Sequence, residues 1–575
     1  MFRKNTRHWQ IPLTSHVDEL PEPLRRRLEN SWAGTFYREF FSRLDEGPFA
    51  VLYSDLISRP NVPVNVLVGL EFLKAANGWT DEEMYDHFCY DVQVRYALGY
   101  RQLSEGCFDL RTLYYFRERL AQHAQETGEN LLERAFEQVT GEQLRAFSIK
   151  SGKQRMDSTL LASNIRQMGR IQLLVTVLQR VWRMLSEADQ QRYAQRFERY
   201  TKGHPGQYIY RLKKEEWPEH LQRIGEDMRT LLQELQAAYG EQPTYAVLAR
   251  VFAEHFRLEK EKLQVKEASE LSARSLQSPD DLEATYREKH GKSSRGYVVN
   301  LTETCDPDNP LQLVTKIQVA PNVTDDSALL AEALPDLKER TGLEELYTDG
   351  AYGSAENDKR LAEQEVTLIQ SAIRGRKRKE ERLYLDDFTL PGDTHNGALN
   401  LTCPHAQQAP VRGAKQGKSY RATFDAQVCG NCPLQPRCPV QPRKNGEAVL
   451  LFTEEDLRRA QRRRRMRQAD SGERNLRSAT EASIRSLKHP FPAGKLPVRG
   501  RFRAACLLIG SAAVMTVRRI HRYLQSQIAG NRPGEQAKRM TKRLAEQAEH
   551  VFFFGRTLLQ AFGLYRRINS PVLTW

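Results

Sequence analysis

The sequence has little cysteine, no long apolar run and fewer acidic than basic residues. Its eight cysteines are spread over 575 residues, whereas a small secreted domain held by disulfides carries them at a much higher density. The start, MFRKNTRHWQIPL, is charged and lacks the apolar stretch of a signal peptide, so we expect no export. The longest apolar run, at 505–517, falls short of the roughly 18 residues that a membrane span needs. We therefore expect a cytoplasmic chain without membrane attachment, in which 505–517 is a core helix.

The charge balance favours a polyanionic partner. Lys and Arg number 87 against 73 Asp and Glu, which gives a net charge of +14 and a pI near 9.3. Nucleic acid is the first candidate for such a partner. The length suggests about three or four domains.

The N-terminal stretch, 1–145, has apolar residues at helical spacing and predicts a helical domain. Thr80 with Glu83 three residues later is a capping-box pattern, and 108–123 is a basic, aromatic helix. Two interpretations stay open at this point. The charges are either the solvated face of a helical bundle or part of a helix-turn-helix-like DNA reader.

A mixed five-strand α/β core is predicted from 146–169 together with 285–375. The first strand alternates so that Asp157 and Thr159 share one face and Met156 and Ser158 the other. Two strands joined by a DPDNP turn predict a hairpin. The remaining elements are a helix, the strand LEELYTD, a helix from Ser354 and a strand at 365–373.

Two insertions divide this core, and helices follow it. The stretch 170–284 is strongly amphipathic and predicts a helical insertion. Residues 376–452 have clustered cysteines and scattered Pro and Gly, and predict a Cys-rich insertion. The segment 453–530 begins with a helix capped by Thr453 and Asp456, and a further helix is predicted at 473–489. A C-terminal helical tail is expected at 531–575.

Three carboxylates on separate elements are candidates for a two-metal site. Such a site needs acidic side chains that converge on Mg²⁺ from different parts of the fold. Asp157 lies on the first strand, Asp349 ends a later strand, and Glu481 lies on the predicted helix. Each also has a simpler interpretation: Asp349-Gly350 is a common turn, Asp157 could cap a turn, and Glu481 could pair with a neighbouring arginine.

The clustered cysteines predict a structural zinc site. Cys403 precedes Cys429, Cys432 and Cys438, and a Cys-x2-Cys pair places two thiolates on one tetrahedral ion. His405 could replace one of these ligands. The alternative is four buried cysteines without metal.

A basic window, 456–503, contains fifteen Lys or Arg against four Asp or Glu. A charge run is usually a solvated face, but this one surrounds Glu481, where DNA phosphates would be a natural counter-charge. The candidate DNA contacts are Arg462, Arg463, Arg464, Arg465, Arg474, Arg477, Arg485 and Lys488.

Three motifs together resemble the bacterial insertion-sequence transposases of the DDE type. They are MDSTLLASN around Asp157, YTDGAYGS around Asp349 and NLRSATEASIRSLKH around Glu481. The family signature of Tyr, Arg, Glu and Lys is matched in its last three positions by Arg477, Glu481 and Lys488. The first position is arginine here. The N-terminal helices and a cysteine-bearing insertion before the glutamate are also similar to one branch of these proteins.

This resemblance implies a ribonuclease-H-like core and a DNA-joining activity. Asp157, Asp349 and Glu481 would hold two Mg²⁺ ions, for which Mn²⁺ could substitute. The enzyme would bind the terminal inverted repeats of its element, cut them, and join the 3′-hydroxyls to target DNA. A homodimer or larger assembly on nucleoid DNA is implied as well. A domesticated DNA-binding protein and a structure-specific nuclease remain alternatives.

Overall fold

The computed structural model describes residues 1–10, 15–54, 56, 60–210, 212–289, 291–371, 379, 381–389, 399–413, 419–443, 446–470 and 476–530. The chain divides into two units, Met1–Arg518 and Arg519–Trp575. The second unit is described only over 519–530, where it is helical. The tail predicted for 531–575 therefore lies outside the described residues.

Helices fill the N-terminal stretch, as predicted. They are α1 (Glu22–Glu29), α2 (Trp32–Glu39), α3 (Val64–Asn77), α4 (Asp81–Tyr90), α5 (Val92–Ala97), α6 (Arg111–Thr127) and α7 (Leu131–Ala146). The capping box of α4 is confirmed, because Thr80 accepts from the backbone of Glu83 and the Glu83 carboxylate accepts from that of Thr80. Buried aromatic side chains such as Phe36, Phe40 and Phe72 join these helices into one core.

The first core strand, β1 (Lys153–Ala162), is followed by an insertion with a hydrophobic core of its own. The insertion comprises α8 (Arg170–Met184), α9 (Glu187–Thr201), α10 (Pro205–Tyr210), α11 (Trp217–Tyr239), α12 (Pro243–His255), β2 (Phe256–Glu259) and β3 (Lys262–Val265). The prediction of a purely helical insertion missed the β2–β3 hairpin. Strands of four residues are too short to show a clear alternation.

The central sheet is mixed and has six strands, where five were predicted. Its further elements are β4 (Thr285–Lys289), β5 (Lys292–Thr304), β6 (Val314–Pro321), α13 (Asp326–Thr341), β7 (Glu345–Thr348), α14 (Ala355–Glu363) and β8 (Thr367–Gln370). Strand β1 lies between β5 and β7, β8 follows β7, and both β4 and β6 pair with β5. The β5–β6 hairpin is confirmed. The sixth strand, β4, is short and mostly polar, so it has no apolar alternation to reveal it.

The Cys-rich stretch contains a small antiparallel sheet that the sequence did not predict. Its elements are β9 (Leu399–Thr402), β10 (Gln408–Gly413), β11 (Ser419–Asp425), α15 (Ala426–Gly430), β12 (Gln441–Pro442) and β13 (Glu447–Thr453). A separate apolar cluster that includes Phe388, Phe424 and Phe452 holds it together. Scattered Pro and Gly broke up the period-two pattern on which strand prediction rests.

Three helices complete the described chain: α16 (Glu454–Asp470), α17 (Thr480–Lys488) and α18 (Arg501–Gly530). The predicted cap of α16 is confirmed, since Thr453 Oγ1 accepts from the backbone of Asp456 at 3.1 Å. Short 3-10 helices lie at Arg7–Trp9, Phe41–Arg43, Gly47–Leu52, Lys214–Glu216, Ala268–Glu270, Leu385–Asp387, Gln435–Arg437 and Pro492–Gly494.

Helix α18 is packed inside the first unit over the apolar run at 505–517, as expected for a core helix. A Cβ added at Gly510 would come within 3.0 Å of the backbone of Phe72, so α18 and α3 approach closely at this glycine. Within the described ranges one helix, Arg501–Ile528, has the length and composition to cross a membrane, and 67% of its apolar window is buried inside the protein.

Candidate active site

Asp157 and Asp349 lie on neighbouring parallel strands. The register pairs Arg155 of β1 with Tyr347, the penultimate residue of β7. Two residues further along each chain come Asp157 and Asp349, so the parallel register places the two carboxylates side by side. Asp157 is only 8% exposed, and Asp349 is half-buried.

The residues after β7 stabilise a turn and still leave one carboxylate oxygen of Asp349 available to bind a cation. Asp349 Oδ1 accepts from the backbone of Ala351 at 2.8 Å, which closes the Asp-Gly turn. Tyr352 is buried and donates its hydroxyl to Asn300, and Ser354, where a helix was predicted to start, is the N-cap of α14. In the described part of the chain, Oδ1 is the only carboxylate oxygen of Asp349 with a hydrogen bond. The turn interpretation therefore holds, and it leaves Oδ2 available to a cation.

Helix α17 and the turn before it cover one face of β1. Arg477 donates from Nη2 to Asp157 Oδ2 at 3.3 Å, and Lys488 donates from Nζ to Thr159 Oγ1 at 2.7 Å. Asp157 and Thr159 thus share a face, as the alternation predicted, while Met156 packs in the core on the other side. The predicted helix at 473–489 was too long, because α17 begins at Thr480 and Arg477 lies in the preceding turn.

Glu481 lies in the first turn of α17, with an exposed side chain. The buried side of this helix is formed instead by Thr480, Ser483 and Leu487. Among the described residues, no group of three or more His, Cys, Asp or Glu side chains is arranged to hold a metal ion. The structure therefore brings Asp157 and Asp349 together and leaves Glu481 on the neighbouring helix, outside that pair.

The environment of Asp157 opposes its negative charge. Burial raises the pKa of the Asp157 carboxyl, and the nearby charge of Asp349 raises it further, while Arg477 acts in the opposite direction. A buried carboxylate next to a second carboxylate is stabilised by any cation that enters the site. In the structure the guanidinium of Arg477 partly fills this role.

A buried ion pair that sequence reasoning missed joins β1, β5 and α17. Arg155 donates from Nε to Glu303 at 2.7 Å, and Ser483 donates its hydroxyl to both oxygens of that carboxylate at 2.8 Å. Arg155 also donates to the carbonyl of Leu476, just before Arg477. Arg155 lies two residues before Asp157, so the alternation of β1 could have placed it on the same face. Its partner Glu303 could not be found from local sequence.

The four clustered cysteines line one small cavity of about 30 Å³, together with His405. Burial raises the pKa of the Cys429 and Cys438 thiols, and the neighbouring thiols add to the shift. The sulfurs therefore lie close enough to influence one another electrostatically. All four are half-buried rather than enclosed in an apolar core.

Arg462, a predicted DNA contact, has an internal role in the structure. It is 8% exposed, pairs with Asp358 of α14 and donates to the carbonyl of Ser354 at 2.9 Å. It thereby ties α16 to the loop that carries Asp349. Little of this side chain remains to face DNA.

The other predicted contacts differ in their surroundings. Arg463 pairs with Asp386 at 3.2 Å, and Arg464 donates to the carbonyl of the same residue. Arg465 and Arg485 are exposed, and neither is in an ion pair with a described residue. Arg474 lies outside the described residues.

Two family models match the chain. One, described as a Transposase DDE domain, matches residues 402–552. The other, described as a Transposase domain (DUF772), matches residues 26–119. Both matches are to transposase domains, and together they support the resemblance of the chain to insertion-sequence DDE transposases. No curated protein and no solved structure matches it.

The two family matches cover different parts of the candidate sites. The DDE-domain match covers Glu481, Arg477 and Lys488 as well as the four cysteines, whereas Asp157 and Asp349 lie upstream of it. The second match falls within the N-terminal helices. A Transposase DDE domain implies in general an enzyme of the nuclease and transposase type that acts on DNA, and such enzymes typically use divalent metals.

Proposed function

We propose that this transposase binds the terminal inverted repeats of its own element, cuts phosphodiester bonds there and joins the freed 3′-hydroxyls to target DNA. The observation that carries the proposal is the parallel register of β1 and β7, which places Asp157 of β1 beside Asp349, the residue directly after β7. The mixed sheet, with β1 at its centre, supports a ribonuclease-H-like core in which these neighbouring strands present the carboxylates together.

Two Mg²⁺ ions, or Mn²⁺ in their place, suit this donor set. Hard divalent cations take carboxylate oxygens, and the buried Asp157 and the half-buried Asp349 form an acidic pair whose mutual repulsion a cation relieves. Glu481 supplies the third carboxylate from α17. When bound, the ions would activate the attacking oxygen and stabilise the leaving oxygen of the phosphodiester.

The cations around this pair hold the substrate phosphates. Arg477 and Lys488 both lie over the face of β1 that carries Asp157, and each brings positive charge beside the carboxylates. Burial lowers the pKa of Lys488, so a phosphate that approaches it restores favourable surroundings for its charge. Arg465 and Arg485, exposed and without ion-pair partners among the described residues, would meet the DNA backbone further away.

The four cysteines bind a structural zinc ion. Four thiol groups around a single small cavity are the donor set that tetrahedral Zn²⁺ prefers. A set of four thiolates leaves no position open for substrate, so this ion would stabilise the small sheet and take no part in cutting. His405 lines the same cavity and can take the place of one thiolate.

The enzyme acts as a homodimer or larger assembly, because two element ends must be processed together, and it works in the bacterial cytoplasm on nucleoid DNA. Residues 1–145 bind DNA alongside the core. The domain limits predicted from the sequence are part of this proposal.

The decisive experiment sequences the DNA ends that the purified protein produces with Mg²⁺ on a fragment bearing the native flanks of its gene. We expect breaks at the borders of inverted repeats. Breaks at branched or single-stranded features, regardless of sequence, would replace transposase chemistry with that of a structure-specific nuclease. Binding without any break would indicate a domesticated DNA-binding protein.

A further inference from the structure

A basic cleft adjoins the candidate active site. It has a volume of about 750 Å³ and lies between the β4–β5 hairpin, the segment after β1 and the segment after α17. Six cations line it: Arg166, Lys289, Lys292, Arg295, Lys488 and Lys495. Among the described residues that line the cleft, none is acidic.

The charge of this cleft is more one-sided than that of another large cleft in the described structure. A cleft of about 990 Å³ beside α16 is also rich in Lys and Arg, but Asp386 and Asp456 line it as well. There Arg463 is paired with Asp386. In the basic cleft, Lys289, Lys292 and Lys495 are all exposed, and none of them is in an ion pair with a described residue. Its charge is therefore uncompensated within the part of the protein that the structure describes.

The tip of the β4–β5 hairpin carries two like charges that destabilise it. Lys289 and Lys292 are directly opposite each other in the antiparallel register, and like charges in this position are destabilising. The β2–β3 hairpin has the same closing geometry with opposite charges, because Glu259 pairs with Lys262. An external anion that binds next to the two lysines would therefore relieve their repulsion.

Lys488 connects the cleft to the candidate active site, and the cleft lies at the far end of β1. Lys488 lines the cleft and also contacts Thr159, two residues beyond Asp157. Ala162, at the end of β1, lines it as well. At roughly 3.3 Å per residue, Asp157 to Ala162 spans about 17 Å. This is the length of about five phosphates along one strand of B-DNA.

We propose that this cleft binds the phosphate backbone of duplex DNA where it leaves the scissile position on the β4–β5 side. The assignment rests on the proposed function, because that function places the scissile phosphate at Asp157. The cations of the cleft would position the duplex without reading its sequence. The β4–β5 hairpin is then a DNA-contacting element in addition to the residues around Glu481.

The test measures how salt affects the binding of a fluorescein-labelled duplex of mixed sequence, in buffer without Mg²⁺ or Mn²⁺ so that no cleavage interferes. The full-length protein carrying Lys289→Gln with Lys292→Gln is compared with the wild type. The matched control, Lys260→Gln with Lys262→Gln, removes the same charge from the tip of the β2–β3 hairpin. Each lost phosphate contact lowers the slope of log affinity against log salt by about 0.9.

We expect the slope of the Lys289/Lys292 variant to fall by nearly two units and that of the control to stay unchanged. The melting temperature of the Lys289/Lys292 variant should equal that of the wild type or exceed it, because the repulsive pair is gone. Lys495→Gln, on a separate segment, should lower the slope by about one unit. Full wild-type slopes in both cleft variants would overturn the proposal, as would equal losses in the control.

The outcomes separate this proposal from the proposed function. If the wild type fails to cut its native ends but the cleft variants lose slope on the duplex, the cleft stands and the proposed chemistry fails. If the wild type cuts and the cleft variants keep full slope, only the cleft assignment fails. A duplex RNA that is bound more tightly and loses the same slope would overturn DNA as the occupant.

Discussion

The carboxylate site and the cysteine site are built in different ways. Asp157 and Asp349 are 192 positions apart in the sequence, and the register of two strands in a large sheet holds them together. The four cysteines fall within 403–438 and line a cavity at the edge of a small sheet. The first arrangement is fixed by backbone pairing before any metal binds, while the second depends on short loops. We therefore expect metal loss to silence the carboxylate site and to unfold the cysteine site.

The largest effect is expected at the cysteine site. Replacing Cys429→Ser together with Cys432→Ser should abolish the binding of about one zinc per chain and unfold the β9–β13 sheet, since structural zinc contributes roughly 10 kcal/mol to such small domains. Metal analysis and limited proteolysis of the purified protein measure both. The control is Cys107→Ser, because Cys107 is exposed and outside the cluster. Zinc-free reduced wild-type protein would contradict the assignment.

The carboxylate site should lose activity without losing structure. Asp157→Asn or Asp349→Asn removes a metal ligand, so cleavage should fall by about three orders of magnitude or more, the rate equivalent of about 4 kcal/mol. The affinity for the element ends should persist, because no phosphate contact is removed. A cleavage assay in Mg²⁺ and a binding assay without it give the two readouts. Substantial Mg²⁺-dependent cleavage by either variant would refute the role of that residue.

A third comparison tests whether the large sheet really fixes the carboxylate site in advance. Glu303→Gln leaves Arg155 buried without a full counter-charge, and breaking such a pair destabilises a protein by about 3 kcal/mol. Because Ser483 of α17 also bonds to Glu303, α17 should loosen and cleavage should weaken as well. Chemical denaturation measures the first effect.

The companion variant for this test combines Arg155→Met with Glu303→Leu. Replacing both charges by apolar side chains should restore most of the stability, although Arg155 would no longer donate to the carbonyl of Leu476. Cleavage would then show whether α17 needs that bond. If the single variant were as stable as the wild type, the ion pair would have no part in holding α17 on the sheet.

Local patterns predicted the elements of the candidate site better than their assembly. The alternation around Asp157 predicted β1 and its faces, and the start of α14 was predicted at Ser354, which is its N-cap in the structure. The partners that hold these elements together are distant in sequence: Arg462 meets Asp358 across 104 positions, and Ser483 meets Glu303 across 180. No local period carries such information, so these contacts could only be found in the structure.

The same limit explains the errors. The helix around Glu481 was predicted to start at 473, because the polar and basic residues before Thr480 have good helix propensity. In the structure Arg477 instead lies in a turn, from which its side chain reaches Asp157. Strand β4 was missed because its role is to pair with the start of β5, and it buries little apolar surface of its own.

The smallest expected effects concern Arg477 and Lys488, which lie over β1 next to the carboxylates. If they hold DNA phosphates, Arg477→Ala and Lys488→Ala should each lower the slope of log affinity against log salt by about 0.9 for the element ends. If they serve only to bind Asp157 and Thr159, stability should change and the slope should not. Lys359→Ala, which removes an exposed cation from α14, is the control for general charge loss.

Glu481→Gln completes this comparison, because it changes charge in the opposite sense on the helix that carries Lys488. If Glu481 is the third metal ligand, cleavage requires it, yet its replacement by Gln takes negative charge away from the DNA surface. Binding to the ends should therefore persist or tighten while cleavage disappears. Cleavage and salt-dependent affinity measured on all three variants separate the roles. Unchanged slopes in both alanine variants would mean that Arg477 and Lys488 have a purely structural role. A fully active Glu481→Gln variant would exclude Glu481 from the site, in agreement with its exposed position in the first turn of α17.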